Sequence, residues 1–178
     1  MALLLEKPWL GIGLAFLLAF LDYPLTAISR DLYYRYMFRY VDYEAMGKSI
    51  RGITGAWAAL SKMLMMALLA AVWAIFYYGQ SPTAGPLFLW LLGFVIGTYF
   101  IADLRHLESI LLARLYGSDD QVSGKIIYHS TFSLKISAIH FFSIFLIFAL
   151  ILFYRPDYFM LGLSCAPLFL TLRNLLLS

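Results

Sequence analysis

This sequence predicts an all-α, polytopic membrane helix bundle of about five transmembrane helices, with helices three and four forming a long hairpin that extends into the cytoplasm. Three observations predict it. The chain is 63% hydrophobic and 13% charged, with a mean hydropathy of +0.83, far from the balance of a soluble domain. Apolar stretches of about 20 residues or more recur, long enough at about 1.5 Å per residue for a hydrocarbon layer about 30 Å thick. These stretches are continuously apolar rather than alternating, which speaks against a transmembrane barrel. The 178 residues read as a single integral membrane domain, 1–178.

The first segment runs from Trp9 to Ser29. Only Lys7 precedes it as a basic residue, and no small-x-small cleavage site follows Leu21, so it is expected to stay as a helix rather than leave as a signal peptide. Pro24 should kink or loosen its last turns. The second segment is Ile53–Tyr78, and Gln80-Ser81-Pro82-Thr83-Ala84-Gly85-Pro86 reads as a turn. The third is Leu87–Leu115, and Gly117-Ser118-Asp119-Asp120 is a second turn. The fourth is Ile126–Tyr154 and the fifth Tyr158–Leu177, where Pro167 leaves a re-entrant loop as the alternative to a full span. An odd number of spans argues against two complete inverted halves of the common transporter type.

Basic residues set the expected orientation. Arg30, Arg35, Arg39, Lys48 and Arg51 lie between the first two segments, and Arg114 and Lys125 flank the second turn. The stretch Gly79–Pro86 has none. Positive loops stay inside, which places the amino terminus outside and the carboxyl terminus in the cytoplasm. The net charge of +3 is therefore a mark of membrane orientation and not of nucleic-acid binding. The single cysteine, Cys165, excludes an intramolecular disulfide and reads as a packed thiol among apolar neighbours.

Charge inside the apolar segments is where function is sought, because ionisable groups there are costly unless paired or used. In Arg30–Glu44, the residues Asp31, Arg35, Arg39 and Asp42 fall on one helical face, and Asp31 four before Arg35 is a favourable ion-pair order. With Lys48 and Arg51 this stretch is expected to contact anionic lipid or a partner at the interface. Asp103, Arg105, His106 and Glu108 cluster near the inner end of the third helix, Asp103 lying about 24 Å along it. A turn centred near Asp120 would bring Lys135 level with Arg105, within reach of Asp103 or Glu108, and the resulting ion pair would lock the hairpin. The same register puts His140 near the level of Phe100.

His129, Ser133, Ser137 and His140 also recur at the spacing of one helical face. The plainer reading is a packing seam, in which small serines allow close approach. The sharper one is a proton-carrying or metal-lining face. A polar path there would include Asp22, which forms a stripe with Thr26 and Ser29 or Arg30 and has Lys62 as its candidate partner. The close-set histidine–glutamate zinc motif is absent, and no cofactor is assigned. No phosphate loop or nucleophile elbow is present either.

Three functions follow as expectations. The leading one is a non-enzymatic integral membrane protein that works by helix-bundle assembly, as a homo-oligomer or an accessory subunit of a membrane complex. The first alternative is a small oligomeric ion or proton channel or transporter that uses the intramembrane Asp and His residues. The second is a lipid-modifying enzyme with Asp103, His106 and Glu108 at headgroup depth.

Overall fold

A computed structural model describes residues 2–43, 53–79, 82–118 and 123–178. The expected turn residues Gln80, Ser81, Asp119 and Asp120 and the basic residues Lys48 and Arg51 lie outside them. Six α-helices stand among the described residues: α1 Ala2–Glu6, α2 Pro8–Leu32, α3 Ile53–Gly79, α4 Ala84–Ser118, α5 Ser130–Tyr154 and α6 Tyr158–Leu176. Five of these, α2 to α6, contain stretches long and apolar enough to cross a membrane.

Local sequence explains most of their ends. Pro8 opens α2, where a missing N–H costs nothing. Asp157 caps α6, its Oδ1 accepting from the Met160 amide at 2.8 Å. Pro24 and Pro167 both lie inside helices and end neither. Thus α6 runs unbroken for 19 residues, about 28 Å, rather than turning back as a re-entrant loop. With 35 residues α4 reaches about 52 Å and outlasts a hydrocarbon layer by several turns.

Helix α4 is the centre of the bundle, with α6, α2 and α3 packed around it. The α4–α6 contact brings backbone against backbone. A Cβ added at Gly93 would collide with the Phe159 carbonyl, and one at Gly162 with the Trp90 carbonyl. One at Gly97 would come 2.9 Å from the Ala166 Cβ and 3.1 Å from the Leu163 carbonyl oxygen. Pro167 removes the N–H that would have bonded that carbonyl within the helix. Gly93 and Gly97 on α4, and Gly162 and Ala166 on α6, are both small residues four apart. That spacing lets two helices approach closely in lipid, where packing replaces the hydrophobic drive.

This contact changes the expected hairpin. Helix α6 lies between α4 and α5 and is the main neighbour of both. Helices α4 and α5 meet at a local contact, where Arg105 reaches Ser137 and Phe141.

At the end of the bundle away from Gly79 and Ala84, the helical face expected over Arg30–Glu44 stops at Met37. Residues Tyr33–Met37 form a π-helical turn and Val41–Tyr43 a short strand, β1. It pairs in parallel with β2, Ile126–Tyr128, in the register Val41↔Ile126. The fourth apolar segment therefore starts as a strand, and its helix begins only at Ser130. Lys125 reaches Asp42 at 3.1 Å across this ladder, and Tyr40 stacks on Tyr116. Tyr33, Met37 and Val41 are buried against Ala113 of α4. The ladder joins the two basic loops at one end.

Gly162→Val is expected to lower the thermal midpoint of the purified protein sharply, through overpacking worth about 1–3 kcal/mol or more. Gly13→Ala, with open space around its Cβ and a better helix former in place of glycine, should leave the midpoint unchanged or raise it slightly. Equal midpoints for the two variants in a circular-dichroism melt would show that the α4–α6 contact does not set stability.

Candidate functional site

The residues Tyr99, Asp103 and His106 are four and three apart, so they share one face of α4. That face looks toward α2 and α3, where Asp22 and Lys62 lie. From the Pro8 end of α2, Asp22 is about 21 Å along the axis. From the Gly79 end of α3, Lys62 is about 25 Å along, and Asp103 is about 28 Å from the Ala84 end of α4. Three helices thus bring their ionisable groups together, beyond the midpoint of each helix toward the β1–β2 end.

The expected Asp22–Lys62 pair is formed. Lys62 Nζ lies 2.6 Å from Asp22 Oδ2 and also donates to the Ala19 carbonyl at 3.0 Å. The ammonium sits 5.3 Å from the centre of the Tyr99 ring, a cation–π distance. His106 completes the group from α4, its Nε2 3.5 Å from Asp22 Oδ1 and 2.9 Å from Thr26 Oγ1. The Thr26 hydroxyl gives its hydrogen to the Asp22 carbonyl at 2.7 Å. Its oxygen must then accept from His106, which assigns the ring proton to Nε2 in the neutral imidazole.

Asp103 differs from the rest. It is 5% exposed, and neither carboxylate oxygen has a hydrogen-bond partner among the described residues. Its electrostatic neighbours are Asp22, His106 and Lys62. A buried ionised carboxylate without donors is expensive, so Asp103 calls for a proton or another positive charge.

Beside this group is a chamber of about 390 Å³ between α2, α4 and α6. Asp22, Thr26, Ser29 and Arg30, the stripe expected on the first helix, all line it, with His106 and Arg105 opposite. A second chamber of about 370 Å³ is lined by Glu108, Ser133, Ser137 and His140 and shares Arg105, Ser109 and Arg173 with the first.

The other expected residues divide between these places. Arg105 Nη2 donates to Ser137 Oγ at 3.2 Å, and its guanidinium stacks 4.9 Å from the centre of Phe141. His140 Nε2 lies 3.8 Å from Glu108 Oε2, not near Phe100. Lys135 is exposed and makes no ion pair among the described residues, so the expected lock to Asp103 or Glu108 is absent. The cause is the start of α5 at Ser130. Glu108 lies ten residues before the end of α4 and His140 ten residues after the start of α5, each about 15 Å from its helix end. Lys135 falls nearer the level of Ala113.

His129 stands at the N-cap of α5, outside the helical stripe expected for it, and its carbonyl accepts from Ser133. Asp31 and Arg35 pair at 3.0 Å as expected, both exposed. Arg39 lies in the turn before β1, off the helical face. His106 and Glu108 point to different chambers, so they do not join Asp103 as one acid–base set. Among the described residues no group of three or more His, Cys, Asp or Glu residues is placed to hold a metal ion.

Two features escaped the sequence reading. The reach of His106 across to α2 left no signal, because the order of helices around α4 is not written in spacing. The pairs Gly93/Gly97 and Gly162/Ala166 did leave one, in their four-residue repeat of small residues. No protein-family model, curated protein or solved structure matches this chain.

Lys62→Met leaves the Asp22 carboxylate with only the more distant imidazole and should cost about 3 kcal/mol or more. Adding Asp22→Leu should recover most of that loss in a detergent melt. A double variant no more stable than Lys62→Met would remove the ion pair as the link between α2 and α3.

Proposed function

We propose that this chain is a small membrane transporter or channel whose Asp22–Lys62–His106–Asp103 cluster takes up and releases a proton. The observation that carries this reading is the carboxylate of Asp103, buried and without a donor among the described residues, beside an acid and a base that already have partners. A structural lock between helices is complete with Asp22 and Lys62 alone. A second buried acid and a histidine add cost without adding to that lock, which is the usual mark of a functional group in a membrane.

Charge bookkeeping supports the proton as the species handled. Asp22 and Lys62 cancel. One further proton, held either as the neutral acid of Asp103 with neutral His106 or as the Asp103 carboxylate with imidazolium, leaves the cluster at zero net charge. Both states suit a low-dielectric site. His106 accepts that proton at Nδ1, since Nε2 already carries one.

In this reading the amino terminus is outside and the carboxyl terminus cytoplasmic. Support comes from the gathering of Arg30, Arg35, Arg39, Arg114 and Lys125 at the end joined by β1 and β2. The cluster then faces the cytoplasmic side of the bilayer.

A second reading, assembly as a homo-oligomer or with a membrane partner, is favoured by α5. It is the most hydropathic of the five candidate spans, and α6 is its main neighbour. Its remaining faces meet lipid or another copy. The readings are compatible, since five helices are few for a monomeric path.

In proteoliposomes holding a pH-sensitive dye, the protein should carry protons, and Asp103→Asn and His106→Ala should each abolish the flux with folding intact. Flux unchanged in both variants, or absent from the unaltered protein, would overturn the proton reading. The mass of the protein released in mild detergent should be a multiple of 20.3 kDa. A single copy with no companion would overturn the assembly reading.

A further inference from the structure

Building on the assembly reading, we propose that two copies of this chain pack through the exposed face of α5. The two α5 helices run parallel about a two-fold axis, and Lys135 of each copy pairs with the partner's Glu108.

Burial divides α5 into two faces. Ala138 and Phe141 are buried, and Phe141 packs with Ile101, Ala166 and Leu170 of the same bundle. On the far side Ile136, Ile139, Ser143, Leu146 and Leu150 are all exposed. They follow one another at alternating intervals of three and four, which draws one stripe along the helix. A stripe with that alternation is the seam along which two helices wind around each other. Ser143 stands in the middle of it, its hydroxyl already donating to the Ile139 carbonyl at 3.1 Å. A small residue at that point lets two backbones approach.

Lipid tails would cover such a stripe as well as a second helix would, so apolar area does not choose the occupant. Charge does. Lys135 is the one Asp, Glu, Lys or Arg residue between Thr131 and Tyr154. It is exposed beside the stripe and makes no ion pair among the described residues. A lysine facing lipid is costly unless it finds a partner. His140 flanks the stripe on the other side, five residues further on, with Glu108 of α4 beside it. The Glu108 side chain is 55% exposed, and its ion-pair partner among the described residues is that imidazole at 3.8 Å, which carries charge only when protonated.

Within one chain Lys135 and His140 stand about 140° apart around α5, on opposite flanks of the stripe. A two-fold axis along the stripe makes those flanks complementary. Two copies inserted in the same sense set their α5 helices parallel, and each flank then faces the opposite flank of the partner. Across a parallel seam the facing position lies about five residues further along. Lys135 therefore meets the partner's His140 and the carboxylate of the partner's Glu108. The same rotation makes the second pair, so the interface is closed by two copies.

The test follows the full chain in mild detergent by native mass spectrometry as the protein is diluted. The unaltered protein is expected at twice 20.3 kDa. Lys135→Glu and Glu108→Lys each set like charges across the seam and should weaken the dimer about tenfold or more. Both positions are exposed, so the variants keep the fold. Mixed in equal amounts, the two variants should dimerise again, because a mixed dimer has one acid opposite one base at both contacts. In membranes of a Cys165→Ala background, oxidation should link Ile139→Cys into pairs and leave Phe16→Cys, exposed on α2, unlinked. Dimers equally strong in the unaltered protein and both single variants, or no recovery on mixing, would overturn the pairing. One copy bound to a different polypeptide that Lys135→Glu releases would give the face to that partner and also overturn it. A multiple of 20.3 kDa that neither variant disturbs keeps the assembly reading and removes this interface. One copy alone at every concentration removes both.

Discussion

The backbone contact between α4 and α6 is the constraint on which the other placements depend. Helices in lipid gain little from hiding apolar surface, so close packing has to supply the attraction. Gly93, Gly97, Gly162 and Ala166 let the two backbones meet, and a side chain at Gly93 or Gly162 would occupy space already filled by a carbonyl. With α6 seated there, α5 is held mainly by α6 and not along α4. The displaced α5 reaches α4 through Arg105, Ser137 and Phe141, and the two chambers lie on either side of Arg105 and Arg173. Had α5 packed along α4 instead, Lys135 and His140 would meet different partners.

The opposite face of α4 is organised by charge rather than by size. Asp22 and Lys62 are each about one-fifth exposed, enough burial for their attraction to outweigh that of a surface pair and enough to make either one alone costly. The Ala19 carbonyl and the Tyr99 ring occupy more of the Lys62 ammonium, and Thr26 fixes the His106 tautomer. Asp22, Lys62 and Thr26 are thereby satisfied. The carboxylate of Asp103 is the exception in that set, and it lies in the same field. A bundle selected only for stability would carry an apolar residue there.

Much of this was legible in the sequence, for identifiable reasons. Apolar run length located the five long helices to within a few residues, apart from the start of α5, because a helix that crosses lipid must satisfy its own backbone. The Asp22–Lys62 and Asp31–Arg35 pairs were legible from cost and from spacing. The strand at Ile126–Tyr128 was not, because three apolar residues continue a helical run as readily as they form a strand. That miss moved the register of α5 and with it Lys135 and His140. The partner of His106 was hidden for another reason: spacing orders residues along one helix and says nothing about which helix stands opposite.

His106 stands in two settings at once. Its Nε2 faces Asp22 in the ionic cluster, and the residue also lines the chamber beside Arg30 and Arg173. A proton taken up at Nδ1 adds a positive charge to that wall. Transfer of the proton to Asp103 withdraws that charge from the wall without changing the net charge of the cluster. The electrostatics of the chamber wall would thereby follow where the proton sits and not only how many protons are bound. Such coupling needs no moving domain, only the short separation that α2 and α4 already impose.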